Sequence, residues 1–190
     1  APIGEIPAVG VSSEVGARLA RRFAGETVTV AVEAETGDAT SGIVRASLGP
    51  ESDERVLLTS HVDAHDIAEG AMDNGAGTAT VVEIASALAA REDDLDTRVE
   101  IACFGAEEVG LRGSAHLAET TDLETIRAVV NLDGVCRGRT LSIATHHVDA
   151  LGDAVRAVRE RFDHPIAIDP TLVPHSDHWP FVARGVPGVM

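Results

Sequence analysis

The stretch "VEIACFGAEEVG", residues 99–110, ends an apolar run of strand length with two adjacent glutamates. Neighbouring carboxylates repel each other, and burying either one is unfavourable unless a positive charge lies between them. A run that is apolar without polar alternation indicates a strand covered on both faces, as in a parallel sheet flanked by helices. The stretch therefore predicts a buried strand that leads into a site where the charge of Glu107 and Glu108 is compensated.

The chain beyond residue 50 repeats this rhythm of apolar runs and helical stretches. The runs of strand length are "RVLLTS", "TRVEIACF", "IRAVVNLD", "TLSIAT" and "PIAID", and the helical stretches cover about 75–91, 111–119 and 148–162. Strands that alternate with helices in this way predict an α/β fold, a three-layer sandwich with a mostly parallel central sheet.

The first fifty residues have a different character. "SSEVGARLARRFAG", residues 12–25, has the apolar spacing of a short helix capped by Ser12 or Ser13. "ETVTVAVEA", residues 26–34, alternates apolar and polar residues, which predicts a half-buried strand.

The composition excludes some partners. The 190 residues are 44% hydrophobic, enough for one ordinary domain with a core, and no apolar run reaches the roughly 20 residues that would insert into a membrane. The net charge is −16 and every basic residue is Arg, which argues against a nucleic-acid partner. An acidic surface adapted to high salt and a high-GC genome that favours Arg and Ala both explain this composition.

Two cysteines, Cys103 and Cys136, lie in or beside apolar segments. We expect both to be buried as small hydrophobic residues and not to form a disulfide or a metal site.

Polar residues gather where the predicted strands end. In open α/β sheets the ligand site lies beyond the carboxyl ends of the strands, and the chain places these residues there: His61, Asp63, Asp73, Glu107, Glu108 and Asp133. Imidazole and carboxylates without thiolates suit zinc, with manganese or cobalt as alternatives. The carboxylates are too many for one catalytic zinc, so two metal ions that share a bridging carboxylate explain the set.

Each residue also has a structural interpretation. Isolated histidines such as His65, His116 and His164 are usually structural, and the paired glutamates would also suit a solvated helix start. Asp133 could cap the next turn, and "DNGAG" could be a loop with glycines at positive φ. The ordered series of such residues at successive strand ends favours the metal site over these alternatives.

Five motifs in this order resemble those of the co-catalytic zinc aminopeptidase family, which includes glutamate carboxypeptidase and is related to glutaminyl cyclase. They are "HVD", "DNGAG", "GAEEVGLRGS", "NLDG" and "SDHWPFVARGVP", within residues 56–190. The resemblance implies a zinc-peptidase (phosphorylase/hydrolase-like) fold. "IPAVGVSSEVGARLA" resembles the tail of a protease-associated domain, so we expect an insert-domain tail and linker over 1–40 and a di-zinc catalytic domain over 41–190.

The resemblance also implies a role for each site residue. His61 and Asp133 would hold one zinc, Asp73 would bridge two zinc ions, and Glu108 would hold the second, with Glu107 as general base. Asp63 would hydrogen-bond His61 and fix its tautomer. The family further implies a cis peptide bond between Asp73 and Asn74.

The end of the chain departs from the family pattern. In relatives the last zinc ligand is a His in a later motif, so we expect the catalytic domain to be incomplete at its C-terminal end and the isolated chain to bind metal weakly and turn over poorly. Asp177, His178 and His175 would line the substrate side of the site. His175 stands where relatives often carry Arg, so the family's specificity does not carry over to it.

The resemblance implies a zinc-dependent aminopeptidase that hydrolyses the N-terminal peptide bond of a peptide with a metal-bridging water and Glu107 as base. Carboxypeptidase-like, glutaminyl-cyclase-like and non-catalytic receptor-like relatives are the alternatives. Family members are mostly secreted or membrane-anchored, which favours an extracellular or cell-envelope location. The oligomeric state is left open by the sequence.

Overall fold

A computed structural model describes residues 8–33, 35, 37–136, 138–162 and 164–190. The chain divides into two compact units, Ala1–Thr40 and Ser41–Met190. The first contains helix α1 (Ser13–Arg22), which the Ser12 side chain caps by accepting a hydrogen bond from the Val15 amide. The assignment of residues 1–40 to an insert domain stays a prediction.

The predicted strand over 26–34 is wrong for the described residues 26–33, which form no strand. Val28, Val30 and Val32 all remain exposed there. Alternation favours a strand only when one face has a surface to pack against, and the valines of this segment have none.

The second unit is built around a five-stranded sheet, and its element order confirms the predicted α/β class. The strands are β1 (Ile43–Leu48), β2 (Arg55–His61), β3 (Arg98–Phe104), β4 (Ile126–Asn131), β5 (Leu141–Ala144), β6 (Ile166–Asp169) and β7 (Gly188–Val189). The main sheet has the order β1-β3-β2-β4-β7, in which only the β1–β3 pair is antiparallel. Strands β5 and β6 form a separate parallel pair.

Helices cover both faces of the main sheet. The second unit contains α2 (Ala76–Ala89), α3 (Arg112–Thr120), α4 (Asp149–Arg159) and α5 (Trp179–Val182). Val81 of α2 packs with Leu58, Ile101 and Cys103 on one face. Leu117 of α3 and Phe181 of α5 pack with Leu57, Phe104 and Val129 on the other. This is the three-layer sandwich that the continuous apolar strands predicted.

The two cysteines lie in different surroundings. Cys103 is buried, as expected, but Cys136 is exposed, so its predicted burial is wrong. Cys136 follows β4 in a turn and has a left-handed φ of 76°, whereas Cys103 lies inside β3.

The start of helix α2 lies close to the Asn74 side chain and to the segment that follows β4. The glycines of "DNGAG" do not have positive φ, so that interpretation of the motif is wrong. Instead, a Cβ at Gly77 would clash with the Asn74 side-chain oxygen and with the Leu132 carbonyl oxygen. Gly77 therefore allows the start of α2 to approach the segment that follows β4.

We predict that Gly77→Ala lowers the free energy of unfolding by about 2 kcal/mol, because rigid neighbours surround the added methyl group. Gly152→Ala is the matched control, since its added Cβ meets only the flexible end of Arg156 within α4 and an alanine favours the helix. Urea denaturation of both variants checks this prediction. Equal stabilities of the two variants would contradict it.

Candidate metal centre

The site lies at the carboxyl ends of three neighbouring parallel strands. His61 ends β2 and pairs in register with Phe104, which ends β3, so the loop carrying Glu107 and Glu108 follows beside His61. Asp133 lies two residues beyond the end of β4, on the other side of β2. Sheet register thus brings together residues that are far apart in the sequence, as the strand-end rule predicted.

His61 is the centre of the arrangement and is 1% exposed. Its Nδ1 lies 3.0 Å from the backbone carbonyl oxygen of Asp63, which can only accept, so Nδ1 carries a proton. On the opposite side of the ring, Nε2 lies 3.2 Å from Asp73 Oδ1 and 3.4 Å from Asp133 Oδ1. Nε2 and these two carboxylate oxygens therefore converge on one point.

The electrostatics of His61 show how strongly the site attracts positive charge. Burial lowers the pKa of His61, but the hydrogen bond and charge of Asp133, with the charges of Glu107 and Asp177, raise it overall to about 9. When Nε2 is protonated, the imidazole of His61 carries one positive charge, and that charge faces these carboxylates. A bound divalent cation would take the place of that proton.

Asp63 has a different contact from the one expected. Its carboxylate accepts hydrogen bonds from the backbone amides of Glu107 and Glu108, each at 3.1 Å. The distance from its Oδ1 to His61 Nδ1 is 3.7 Å, so the hydrogen bond that orients the imidazole comes from the Asp63 backbone and not from its side chain. Asp63 thus fixes both His61 and the glutamate pair.

Asp73 lies in a kinked turn over Ala71–Gly75, and the peptide bond to Asn74 is cis, as the family resemblance implied. Asn74 is buried and donates to the Leu132 carbonyl at 2.8 Å, while its side-chain oxygen accepts from the Gly77 amide at 3.1 Å. The first contact ties the Asp73 turn to the segment that carries Asp133, and the second ties it to the start of α2.

Glu107 and Glu108 lie in the turn before α3, between Ala106 and Leu111, both of which have left-handed φ. Both glutamates are half-buried and precede the helix, so the solvated helix start is wrong. Burial raises the pKa of Glu107 to about 7, assisted by the charges of Asp177, Asp133 and Glu108 and opposed by that of His61. A carboxyl group with this pKa can both take up and release a proton near neutral pH.

The contact between His65 and Glu108 was not predicted from the sequence. His65 Nε2 lies 3.1 Å from Glu108 Oε2, and its side chain is 65% exposed. The residue lies in the irregular loop after β2, where no periodicity indicates the direction of a side chain.

The three residues expected on the substrate side differ in exposure. Asp177 and His178 are fully buried, and His175 is exposed. Burial raises the pKa of Asp177 to about 6, against the opposing effects of the Ser114 hydroxyl and the His61 charge. Burial also lowers the pKa of His178 to about 4, although its bond to the Val173 carbonyl partly opposes this. Their predicted contact with substrate stays a prediction.

The donor atoms fit a zinc ion. Two groups have one ligand atom per residue, all within 4.8 Å of one another: His61 with Asp73 and Asp133, and His61 with Glu107 and Glu108. One imidazole among carboxylates is a donor set that zinc accepts. The residues that the sequence singled out as ligands are therefore adjacent in the folded chain.

A sequence model of peptidase family M28 matches residues 43–190. Aminopeptidase YwaD of Bacillus subtilis is 27% identical over 95% of this chain, and the probable lipoprotein aminopeptidase LpqL of Mycobacterium tuberculosis is 30% identical over 66% of it. The aligned regions are 41% and 25% of those two proteins, so this chain spans well under half the length of the relatives it matches.

Solved structures show the same fold. BSAP, a zinc aminopeptidase from Bacillus subtilis, superposes with a TM-score of 0.68 at 25% identity, over 77% of this chain and 38% of BSAP. A glutaminyl cyclase from an Acidobacteriales bacterium gives a TM-score of 0.67 at 24% identity, over 78% of this chain and 57% of the cyclase. The likeness to the cyclase concerns the fold alone.

We predict that Asp63→Asn lowers the free energy of unfolding by about 2 kcal/mol, because its NH₂ group replaces one of the two oxygens that accept from the Glu107 and Glu108 amides and leaves that N–H unsatisfied. Asp66→Asn, an exposed position in the same loop, removes the same charge and should change stability by less than about 0.5 kcal/mol. Chemical denaturation distinguishes the two. Similar losses in both variants would mean that charge, and not the paired hydrogen bonds, is what matters.

We predict that His178 makes the folded chain sensitive to acid. Its pKa of about 4 in the folded chain lies below its ordinary value of 6.5, so between these pH values the unfolded chain binds a proton that the folded chain does not. Stability is therefore lost as the pH falls through this window. In His178→Gln the free energy of unfolding should fall less between about pH 7 and 4.5, by roughly 2 kcal/mol.

The control for this pH measurement is His164→Gln, which changes an exposed histidine. It should keep the pH dependence of the unchanged chain. If His178→Gln also keeps it, His178 is protonated as readily in the folded as in the unfolded chain and the prediction fails.

Proposed function

We propose that this chain, which belongs to peptidase family M28, carries the active site of a zinc-dependent exopeptidase. The observation that supports this best is the convergence of Asp73 and Asp133 on His61 Nε2, with Glu107 and Glu108 grouped around the same imidazole. Several carboxylates around one buried imidazole are unfavourable unless a cation compensates their charge. A bound metal ion would supply that charge.

In this proposal His61, Asp133 and Asp73 would hold one zinc ion, and Asp73 and Glu108 would hold a second. Zinc would supply Lewis acidity, which activates water and polarises the carbonyl of the scissile bond. The two groups of ligand atoms share His61, and the number of ions, two, is part of the proposal. Asp63 keeps His61 and both glutamate backbones in place.

Glu107 acts as the general base. It takes a proton from the attacking water and returns it to the leaving amine, two transfers that a carboxyl group with a pKa near 7 can perform in succession. The hydrogen bond from its amide to Asp63 fixes the backbone from which the Glu107 side chain extends. Its neighbour Glu108 is then directed to the metal.

We propose the aminopeptidase reaction on a peptide because YwaD, LpqL and BSAP are all named aminopeptidases. Of the three residues expected near the substrate, only His175 is exposed, so we assign the contact with substrate to His175. An extracellular or cell-envelope location is supported by the name of LpqL, a probable lipoprotein. No helix among the described residues is long and apolar enough to cross a membrane.

We predict that Glu107→Gln retains zinc but loses activity by at least about 10²-fold, because it removes proton transfer and keeps the shape of the side chain. Glu108→Gln should instead lose zinc. The natural protein that carries this sequence is tested for zinc by elemental analysis and for hydrolysis of aminoacyl-nitroanilides.

Two outcomes would contradict the proposal. Full activity of Glu107→Gln would exclude Glu107 as the base. An unchanged protein that holds zinc and cyclises an N-terminal glutamine, but does not hydrolyse the aminoacyl-nitroanilides, would instead be a glutaminyl cyclase. An exposed glutamate of α2, Glu83, offers a control, since Glu83→Gln should change neither zinc content nor activity.

A further inference from the structure

A chain of three hydrogen bonds runs from the middle of the sheet to Asp133. The Thr59 hydroxyl of β2 donates to the side-chain oxygen of Asn131 at 2.7 Å. The Asn131 side-chain nitrogen donates to the Ser176 hydroxyl at 2.8 Å, and that hydroxyl donates to Asp133 Oδ2 at 2.5 Å. We call Thr59, Asn131 and Ser176 the Asp133 relay.

The direction of each hydrogen bond in the relay follows from the Asp133 carboxylate, which can only accept, so the Ser176 hydroxyl donates to it. The end of the Asn131 amide that faces Ser176 must then be the NH₂ group, which can only donate, and the amide oxygen faces the Thr59 hydroxyl. Ser176 accepts the hydrogen bond from the NH₂ group, and its own proton is left for Asp133. A serine hydroxyl without this neighbour would rotate among several acceptors.

The relay is buried and its last member is held firmly. Thr59, Asn131 and Ser176 are 0%, 3% and 3% exposed. Ser176 has a left-handed φ of 71°, an unfavourable conformation for serine, and its carbonyl accepts from the Trp179 amide at the start of α5. A serine that is buried in this conformation, where glycine would be favoured, indicates that its hydroxyl is needed.

The loop around Ser176 is fixed by two buried histidines. His178 Nε2 donates to the Val173 carbonyl at 2.9 Å, and His146 Nδ1 donates to the Gly188 carbonyl of β7 at 2.9 Å. The two rings lie 4.5 Å apart between centroids. These contacts hold the segment that carries Ser176 in place beside Asp133.

We propose that Asn131 is a positioning residue of the metal centre. It orients the Ser176 hydroxyl so that this hydroxyl binds Asp133 Oδ2 and leaves Oδ1 directed at the point that His61 Nε2 faces. This inference rests on the proposed function, in which Asp133 is a zinc ligand. It assigns to Asn131 an effect on metal binding that it exerts without touching the metal.

The test is Co²⁺ binding, followed by the visible absorption of the ion and by titration calorimetry, in the natural protein that carries this sequence. Ser176→Gly removes the hydroxyl at a left-handed position where glycine is favoured, which offsets part of the cost of leaving the Asn131 NH₂ group without an acceptor. Asn131→Leu keeps the branched shape and removes both hydrogen bonds. Each variant should weaken Co²⁺ binding roughly tenfold, as is usual when a partner of a metal ligand is removed.

The double variant separates a positioning role from a general loss of structure. If Asn131 acts through Ser176, Asn131→Leu has no further effect once Ser176 is Gly, and the double variant is also weakened roughly tenfold. Independent effects would multiply to roughly a hundredfold and would overturn the proposal. Unchanged Co²⁺ affinity in Asn131→Leu would also overturn it.

Two further variants keep the test valid if Asn131→Leu does not fold. Thr59→Val removes the first hydroxyl of the relay and should weaken Co²⁺ binding. Thr145→Val removes an equally buried hydroxyl outside the relay and should not; equal affinities in the two variants would contradict the proposal. If the unchanged protein binds neither Co²⁺ nor Zn²⁺, the proposed function fails and this inference fails with it, whereas metal binding that ignores the relay overturns the inference alone.

Discussion

The carboxylate of Asp63, which accepts from the backbone amides of both Glu107 and Glu108, is the contact on which the rest of the site depends. These amides belong to a turn between two left-handed residues, Ala106 and Leu111, so no helix or strand supplies their acceptors. One charged acceptor serves both amides, and hydrogen bonds to ionised groups are more stabilising than neutral ones. Since Asp63 follows β2 and the turn follows β3, this contact also fixes the relative position of two strand ends.

Three groups of the site have a raised pKa: His61, Glu107 and Asp177. His61 holds a proton more tightly than an ordinary histidine, and Glu107 and Asp177 also gain protons more readily than ordinary carboxyl groups. Burial is the main cause for Glu107 and Asp177, with neighbouring carboxylate charge adding to it, whereas for His61 the carboxylate charge outweighs the opposing effect of burial. A divalent cation compensates that carboxylate charge without a proton, which is why the same cluster that is unfavourable alone is well suited to bind metal.

Much of this arrangement was predictable, because a parallel sheet gathers its strand ends at one edge. Each apolar run that leads to His61, to Glu107 or to Asp133 therefore predicts a residue of one site. The failures have physical reasons as well. Alternation in residues 26–33 could not show that no surface covers the valines, and the apolar neighbours of Cys136 could not show that a turn exposes it.

Contacts made by irregular backbone were the least predictable. That Asp63 orients His61 through its carbonyl and the glutamates through its carboxylate depends on loop torsions that no sequence period encodes. The same is true of His65 beside Glu108 and of Ser176 beside Asp133.

The site has one rigid side and one adaptable side, and this division bears on what the fold can do. Asp133 is backed by β4 and the buried segment around Ser176, whereas Glu108 faces His65, whose side chain is largely exposed. A rigid ligand sets the geometry of a metal ion, and an exposed partner at the open side can change without disturbing the core.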